Sequence, residues 1–172
     1  MNGTIYCLVD AGGTVHAKDD AEWYSEIAAA DGLDEHTCQM YRFDLINRRL
    51  LTDRGLPGGD RAARTYLDRR VGTPDKLVQF AVEGHLPKPV LMSLVAPEKR
   101  KAYADACAIV EKKYTDECAA KNEPCLESGC AVKGEICLQP LLHAGIEYHK
   151  LCAGEWTGLF ADPGNRIDAW RS

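Results

Sequence analysis

At residue 54 the hydrophobic period of this chain changes, and that change limits the folds open to it. Before the break, short runs of alternating apolar residues flank one stretch at helical spacing; after it, three- and four-residue spacing prevails. The break itself, Arg54-Gly-Leu-Pro-Gly-Gly59, holds three glycines and a proline within six residues. Such residues punctuate a chain because Gly frees φ while Pro fixes it. A strand-rich region over 1–54 and a helical region over 60–172, joined in one core, make an α+β fold. Its expected parts are a small, mainly antiparallel sheet with one helix at the N-terminus, then a helical bundle ending in a cysteine-rich αα-hairpin.

Within the first region, Ile5-Tyr6-Cys7-Leu8-Val9 is β-prone, Ala11-Gly12-Gly13 is a turn signal, and Thr14 to Ala17 reads as the returning strand. Asp10-Ala-Gly-Gly-Thr14 after an apolar strand resembles the D-x-G-G-T phosphate loop of sugar kinases and actin-like ATPases. That family implies two such domains and further nucleotide motifs, for which this chain has no room. A Gly-Gly hairpin turn accounts for the same residues. Asp20 is placed to cap a helix through about Ala30, with Trp23, Ile27 and Ala30 on its buried stripe and Asp31-Gly32 at its end. Tyr41, Phe43 and Leu45 then alternate with polar neighbours, and a turn at Asn47-Arg48 leads into Arg49 to Thr52, a second hairpin. Cys7 and Cys38 fall in or beside strands and read as small core residues.

Beyond the break, Asp60 is placed to cap a helix through about Val71, with Ala63, Tyr66, Leu67 and Arg70 near one face. Thr73-Pro74-Asp75 is a helix start, with Thr as the cap and Pro at the first helical position. Gly84 ends that helix, and Val90 to Val95 supplies another apolar run. Two short helices about a Gly turn have the outline of a helix-turn-helix and equally of any small bundle. DNA-reading versions carry polar and basic residues at the start of the second helix; only Lys88 stands there.

The charge of −5 hides a partition. Residues 1–47 hold two Lys/Arg against nine Asp/Glu, residues 48–101 twelve against six, and residues 102–172 seven against eleven. The basic middle either pairs with its acidic neighbours or forms a footprint for nucleic acid through Arg48, Arg49, Arg61, Arg64, Arg69 and Arg70. No run approaches the roughly 18 apolar residues of a membrane helix, and the N-terminus has neither the basic region nor the apolar stretch of a signal peptide. A cytoplasmic protein is therefore expected, with its thiols reduced.

Those thiols carry the most specific pattern in the chain. Cys118, Cys125, Cys130 and Cys137 are spaced C-x6-C-x4-C-x6-C, symmetric about their middle, with Cys107 and Cys152 outside them. From Pro97-Glu98 a long helix is expected to about Lys121, with Tyr103, Cys107, Val110, Tyr114 and Cys118 on one stripe. Pro124 stops it, and a return helix carries Leu141, Gly145, Tyr148 and Cys152. Cys107 and Cys118 share a face but lie about 16 Å apart along it, too far to bond each other. Thiolates are the soft ligands that zinc and iron–sulfur centres select, and Gly129 and Gly134 give a wrapping loop its freedom. The x6 gaps exceed zinc-knuckle spacing and suit an iron–sulfur loop better. The piece from Cys125 to Leu138 is similar to the three-cysteine cluster loop of a family of iron–sulfur transcriptional regulators, over about fourteen residues and with gaps that differ by one. The winged helix of that family is not visible in this chain. His143, six residues past Cys137, is a further candidate ligand or else pairs with Glu147 at i+4.

The expected function is that of a non-enzymatic metal-binding protein, structural or redox-sensing, with a protein partner and a regulatory role if the basic middle is a true footprint. One alternative is a helical hairpin stapled by Cys118–Cys137 and Cys125–Cys130 in an interaction module, each bridge adding about 2–4 kcal/mol. Reduced, merely buried thiols are another. An enzyme using a Cys–His pair comes last, because no motif fixes an oxyanion site. Trp156, Phe160 and Trp170 in the tail are expected to cover the bundle or to face a partner.

Overall fold

The structure, a computed structural model, describes residues 3–120 and 154–171, with the backbone alone at 111 and 113–120. Four strands, β1 (Thr4–Val9), β2 (Val15–Ala17), β3 (Gln39–Asp44) and β4 (Arg49–Arg54), form one antiparallel sheet in the order β2-β1-β3-β4. Central β1 pairs Val9 with Val15 on one side and Cys7 with Tyr41 on the other. Both its faces are covered, which is why five apolar residues follow one another there. Ile5, Cys7, Val9 and Tyr41 enter the main core, whereas Leu8, Tyr6 and Met40 join a smaller cluster on the opposite face. In the β3–β4 turn the Asp44 carboxylate accepts the N–H groups of Ile46 and Asn47 at 2.9 and 3.1 Å. Arg48 takes a left-handed φ of 50°, unusual for a residue with a Cβ. Its guanidinium donates to the Gly72 carbonyl and lies 4.7 Å from the centre of the Trp170 ring.

Helix α1 (Tyr24–Asp31) covers the smaller cluster. It starts later than the position of Asp20 suggests. Residues 18–21 form their own turn, closed by Ala21 N–H on the Lys18 carbonyl, and the Asp20 carboxylate faces Lys18 rather than a helix amide. The buried set is accordingly Tyr24, Ile27 and Ala28, not Trp23, Ile27 and Ala30. Trp23 stays 54% exposed, with its ring 5.7 Å from that of Tyr6. Gly32, at φ 67°, ends the helix.

The other face of the sheet packs against α2 (Asp60–Val71), α3 (Pro74–Val82), α4 (Lys88–Leu94), α5 (Arg100–Ala120) and α6 (residues 154–161). Gly59, not Asp60, is the cap residue of α2; Asp60 stands in the first turn, where its charge still suits the helix N-terminus. Thr73 caps α3 by accepting from Lys76 N–H, with Pro74 at the first helical position. The short helix α4 buries Val90, Leu91 and Leu94, so it serves the core. A single 3-10 turn, Pro97–Lys99, precedes α5, which buries Tyr103 and Cys107.

The tail then closes the fold. Ile167 N–H donates to the Leu94 carbonyl and Ala96 N–H to that of Asn165. The buried Trp170 donates its indole N–H to the Leu45 carbonyl at 2.6 Å. Arg166 donates to the carbonyls of Phe160 and Ala161, which end α6 and lack helical partners. Sheet residues Ile5, Tyr41 and Leu45 thus share one core with Leu67, Phe80, Leu91, Trp156, Phe160 and Trp170. No described helix is long and apolar enough to cross a membrane.

Candidate functional site

The expected metal ligands Cys125, Cys130, Cys137 and His143 lie outside the described residues, as does the return helix with Cys152. Of Cys118 only the backbone is described, in α5. The chain enters this segment from α5 and leaves it at α6. Tyr103 and Cys107 on one side, and Trp156 and Phe160 on the other, belong to the same core. The remaining described thiols, Cys7, Cys38 and Cys107, are free and buried. Burial pushes the Cys7 thiol up to about 12, so it carries no thiolate near neutrality. Among the described residues, no three His, Cys, Asp or Glu side chains converge as a metal site would require.

The six arginines of the basic middle divide into two groups. Arg70 forms a fork on the Asp19 carboxylate, which also meets His85 Nδ1 at 3.4 Å. Arg48 is held by Gly72 and Trp170, and Arg64 lies 3.5 Å from Asp60 one turn earlier. Arg49, Arg61 and Arg69 have no ion-pair partner among the described residues. Arg61 and Arg69 stand on one side of α2, two turns apart, and both line an open cleft of about 630 Å³.

The first hairpin and α2 build that cleft. Val9, Asp10, Ala11, Gly13 and Val15 form one wall; Arg61, Ala62, Thr65, Tyr66 and Arg69 form the other, with Gln39, Gly58 and Gly59 at the end. Gly59 lies against the sheet so closely that a Cβ would fall 1.9 Å from Gln39 Oε1 and 2.7 Å from the Tyr41 hydroxyl. Tyr41 in turn donates to Gln39 Oε1. Glycine is needed here for close approach, not for an unusual φ, since Gly59 has φ −71°.

Asp10 is the carboxylate of the cleft, and it is already occupied. Its Oδ1 accepts Thr14 N–H at 2.8 Å, and its Oδ2 lies 3.3 Å from His16 Nε2. The Asp10 carbonyl accepts Gly13 N–H at 3.0 Å. The D-x-G-G-T turn therefore closes on its own aspartate, as a hairpin turn does. These donors, led by the Thr14 amide and then His16, hold the Asp10 carboxyl below its ordinary range. His16 Nδ1 meets Asp31 Oδ2 at 2.7 Å, so the imidazole is bracketed by two carboxylates. The Asp31 bond chiefly, with help from Asp10, raises the pKa of His16. Bracketed in this way, both ring nitrogens act as donors in the imidazolium form.

Sequence spacing alone marks Arg61, Thr65 and Arg69 as a stripe at i, i+4, i+8. It gives no hint of Asp31, which reaches His16 only because α1 ends beside the short strand β2. No protein-family model matches the chain, and no curated protein or solved structure matches it either.

Proposed function

We propose that this is a non-enzymatic metal-binding protein, in which the α+β core presents the cysteine-rich segment between α5 and α6 as an iron–sulfur or zinc centre. Cys118, Cys125, Cys130 and Cys137 supply the thiolates, and His143 is a further ligand. One observation carries the reading. Four thiols in a symmetric C-x6-C-x4-C-x6-C array begin on the last turn of α5, at Cys118, and continue into the segment between α5 and α6, two helices rooted in a single core. Anchored flanks shorten the search that a metal-wrapping loop must make, because the ends of the loop are already held. In this reading the protein is cytoplasmic, its centre is structural or redox-sensing, and it acts on a protein partner. A nucleic-acid partner has less support, since Arg48, Arg64 and Arg70 already have partners and the footprint shrinks to Arg49, Arg61 and Arg69.

Metal analysis with a thiol count, on protein purified without oxidation, tests the proposal. Stoichiometric zinc or iron that is lost when the four cysteines are replaced by serine supports it. Absence of metal with few free thiols replaces it by the disulfide-stapled interaction module. Absence of metal with all eight thiols free removes both and leaves a Cys–His enzyme or inert thiols.

A further inference from the structure

We propose that the cleft between the first hairpin and α2 binds a small organic phosphate, gripped by Arg61 and Arg69. This site is independent of the cysteine segment. The charge balance of the cleft points to an anion. Of its strongly charged lining groups, Asp10 is turned toward its own hairpin, where it accepts the Thr14 amide and shares the His16 imidazole with Asp31, while Arg61 and Arg69 have no ion-pair partner among the described residues. Two cations remain unanswered in a concave site whose apolar wall focuses their field. The apolar part of that wall is Val9, Val15, Ala62 and the ring of Tyr66.

The spacing favours a single compact dianion. Eight residues along a helix are about 12 Å, a span that two flexible arginine stems close to bring both guanidinium groups onto one anion. Thr65 between them is short, and its hydroxyl donates back to the Arg61 carbonyl at 2.9 Å, so it leaves space and adds no charge. A phosphate monoester carries close to two negative charges near neutrality and accepts forked arginine bonds. The apolar side suits an organic body attached to it. A volume of about 630 Å³ lies within the range of small-molecule sites. A nucleic acid strand would instead lie across the outer face of α2, where Arg64 is also exposed.

Phenyl phosphate titrated into the full chain by calorimetry tests this. One-to-one binding is expected, weakened about tenfold by Arg61→Ala and by Arg69→Ala, in keeping with loss of one charge-assisted contact. Thr65→Trp, at an exposed position, keeps both charges but fills the cleft, and it abolishes binding while leaving the thermal midpoint in place. Absence of binding at millimolar phenyl phosphate overturns the proposal. So does binding that survives Thr65→Trp. A single-stranded oligonucleotide that binds the Thr65→Trp variant as it binds the parent protein would assign the arginines to nucleic acid instead.

Discussion

Position 59 accepts no side chain without cost. In Gly59→Ala the new methyl would meet Gln39 Oε1, which can swing away, and the Tyr41 hydroxyl, which belongs to a fully buried ring and cannot. A loss of about 1–3 kcal/mol follows from such overpacking, and urea denaturation would read it. Adding Gln39→Ala should recover only part of it, because the Tyr41 contact persists. His16 makes a prediction in pH. Its folded pKa lies above the ordinary 6.5, so its contribution is complete below that value and fades as pH rises through the raised one. The Asp10 carboxyl, lowered from 3.8, sets the acid limit, since its contribution is lost as pH falls through the folded value. The thermal midpoint of His16→Ala should therefore trail that of the parent protein most near pH 5–6, with the gap narrowing toward pH 9. A gap that widened with pH would contradict the bracketed imidazolium. Residues such as Thr73 and Cys7 could be read from local pattern, because a cap and a strand are local matters. Asp31 and His16 could not, because fifteen residues and a helix separate them.

Among elements, the strands were the easiest to foresee. Alternation specifies both position and face, and Tyr41 and Cys7 fall on the side that alternation assigns them. Helix α1 shows where such reading slips. A turn at 18–21 uses the residues that looked like a cap, and the buried stripe moves from Trp23 to Tyr24. A shift of one residue is 100° on a helix, enough to turn a tryptophan outward. The tail is the element whose importance local pattern conceals. Residues 162–171 contain three aligned attachments, to Leu94, Ala96 and Leu45, yet their sequence is rich in turn residues. Trp170→Ala should cost about 3–5 kcal/mol, as for a buried aromatic removed whole. It also takes away the ring on which Arg48, strained at positive φ, rests its guanidinium. Trp170→Phe keeps the packing but leaves the Leu45 carbonyl unmet, and should cost less. Chemical denaturation of both variants would check the order; equal effects would mean that the hydrogen bond, not the ring, matters.

For the whole molecule, one core joins the sheet to the helices, and it sorts the cysteines. Cys7 and Cys107 are inside it and Cys38 is buried in the smaller cluster on the opposite face of the sheet, so a thiol reagent applied to the native protein should leave these three unmodified whether or not a chelator is present. Chelation should change the reactivity of the segment cysteines alone, read as modified peptides by mass spectrometry. Rapid labelling at Cys107 would mean that α5 is not seated as described. The α+β class and the order of elements up to α5 could be read from the period change at residue 54. The cleft could not, since it exists only where α2 crosses the first hairpin. The bond from Trp170 to Leu45 spans 125 residues, and it has a consequence for biosynthesis. On the ribosome, the N-terminal strands emerge long before the indole that completes their packing. The cysteine segment has then already been made, so its thiols meet the cell before the core has closed.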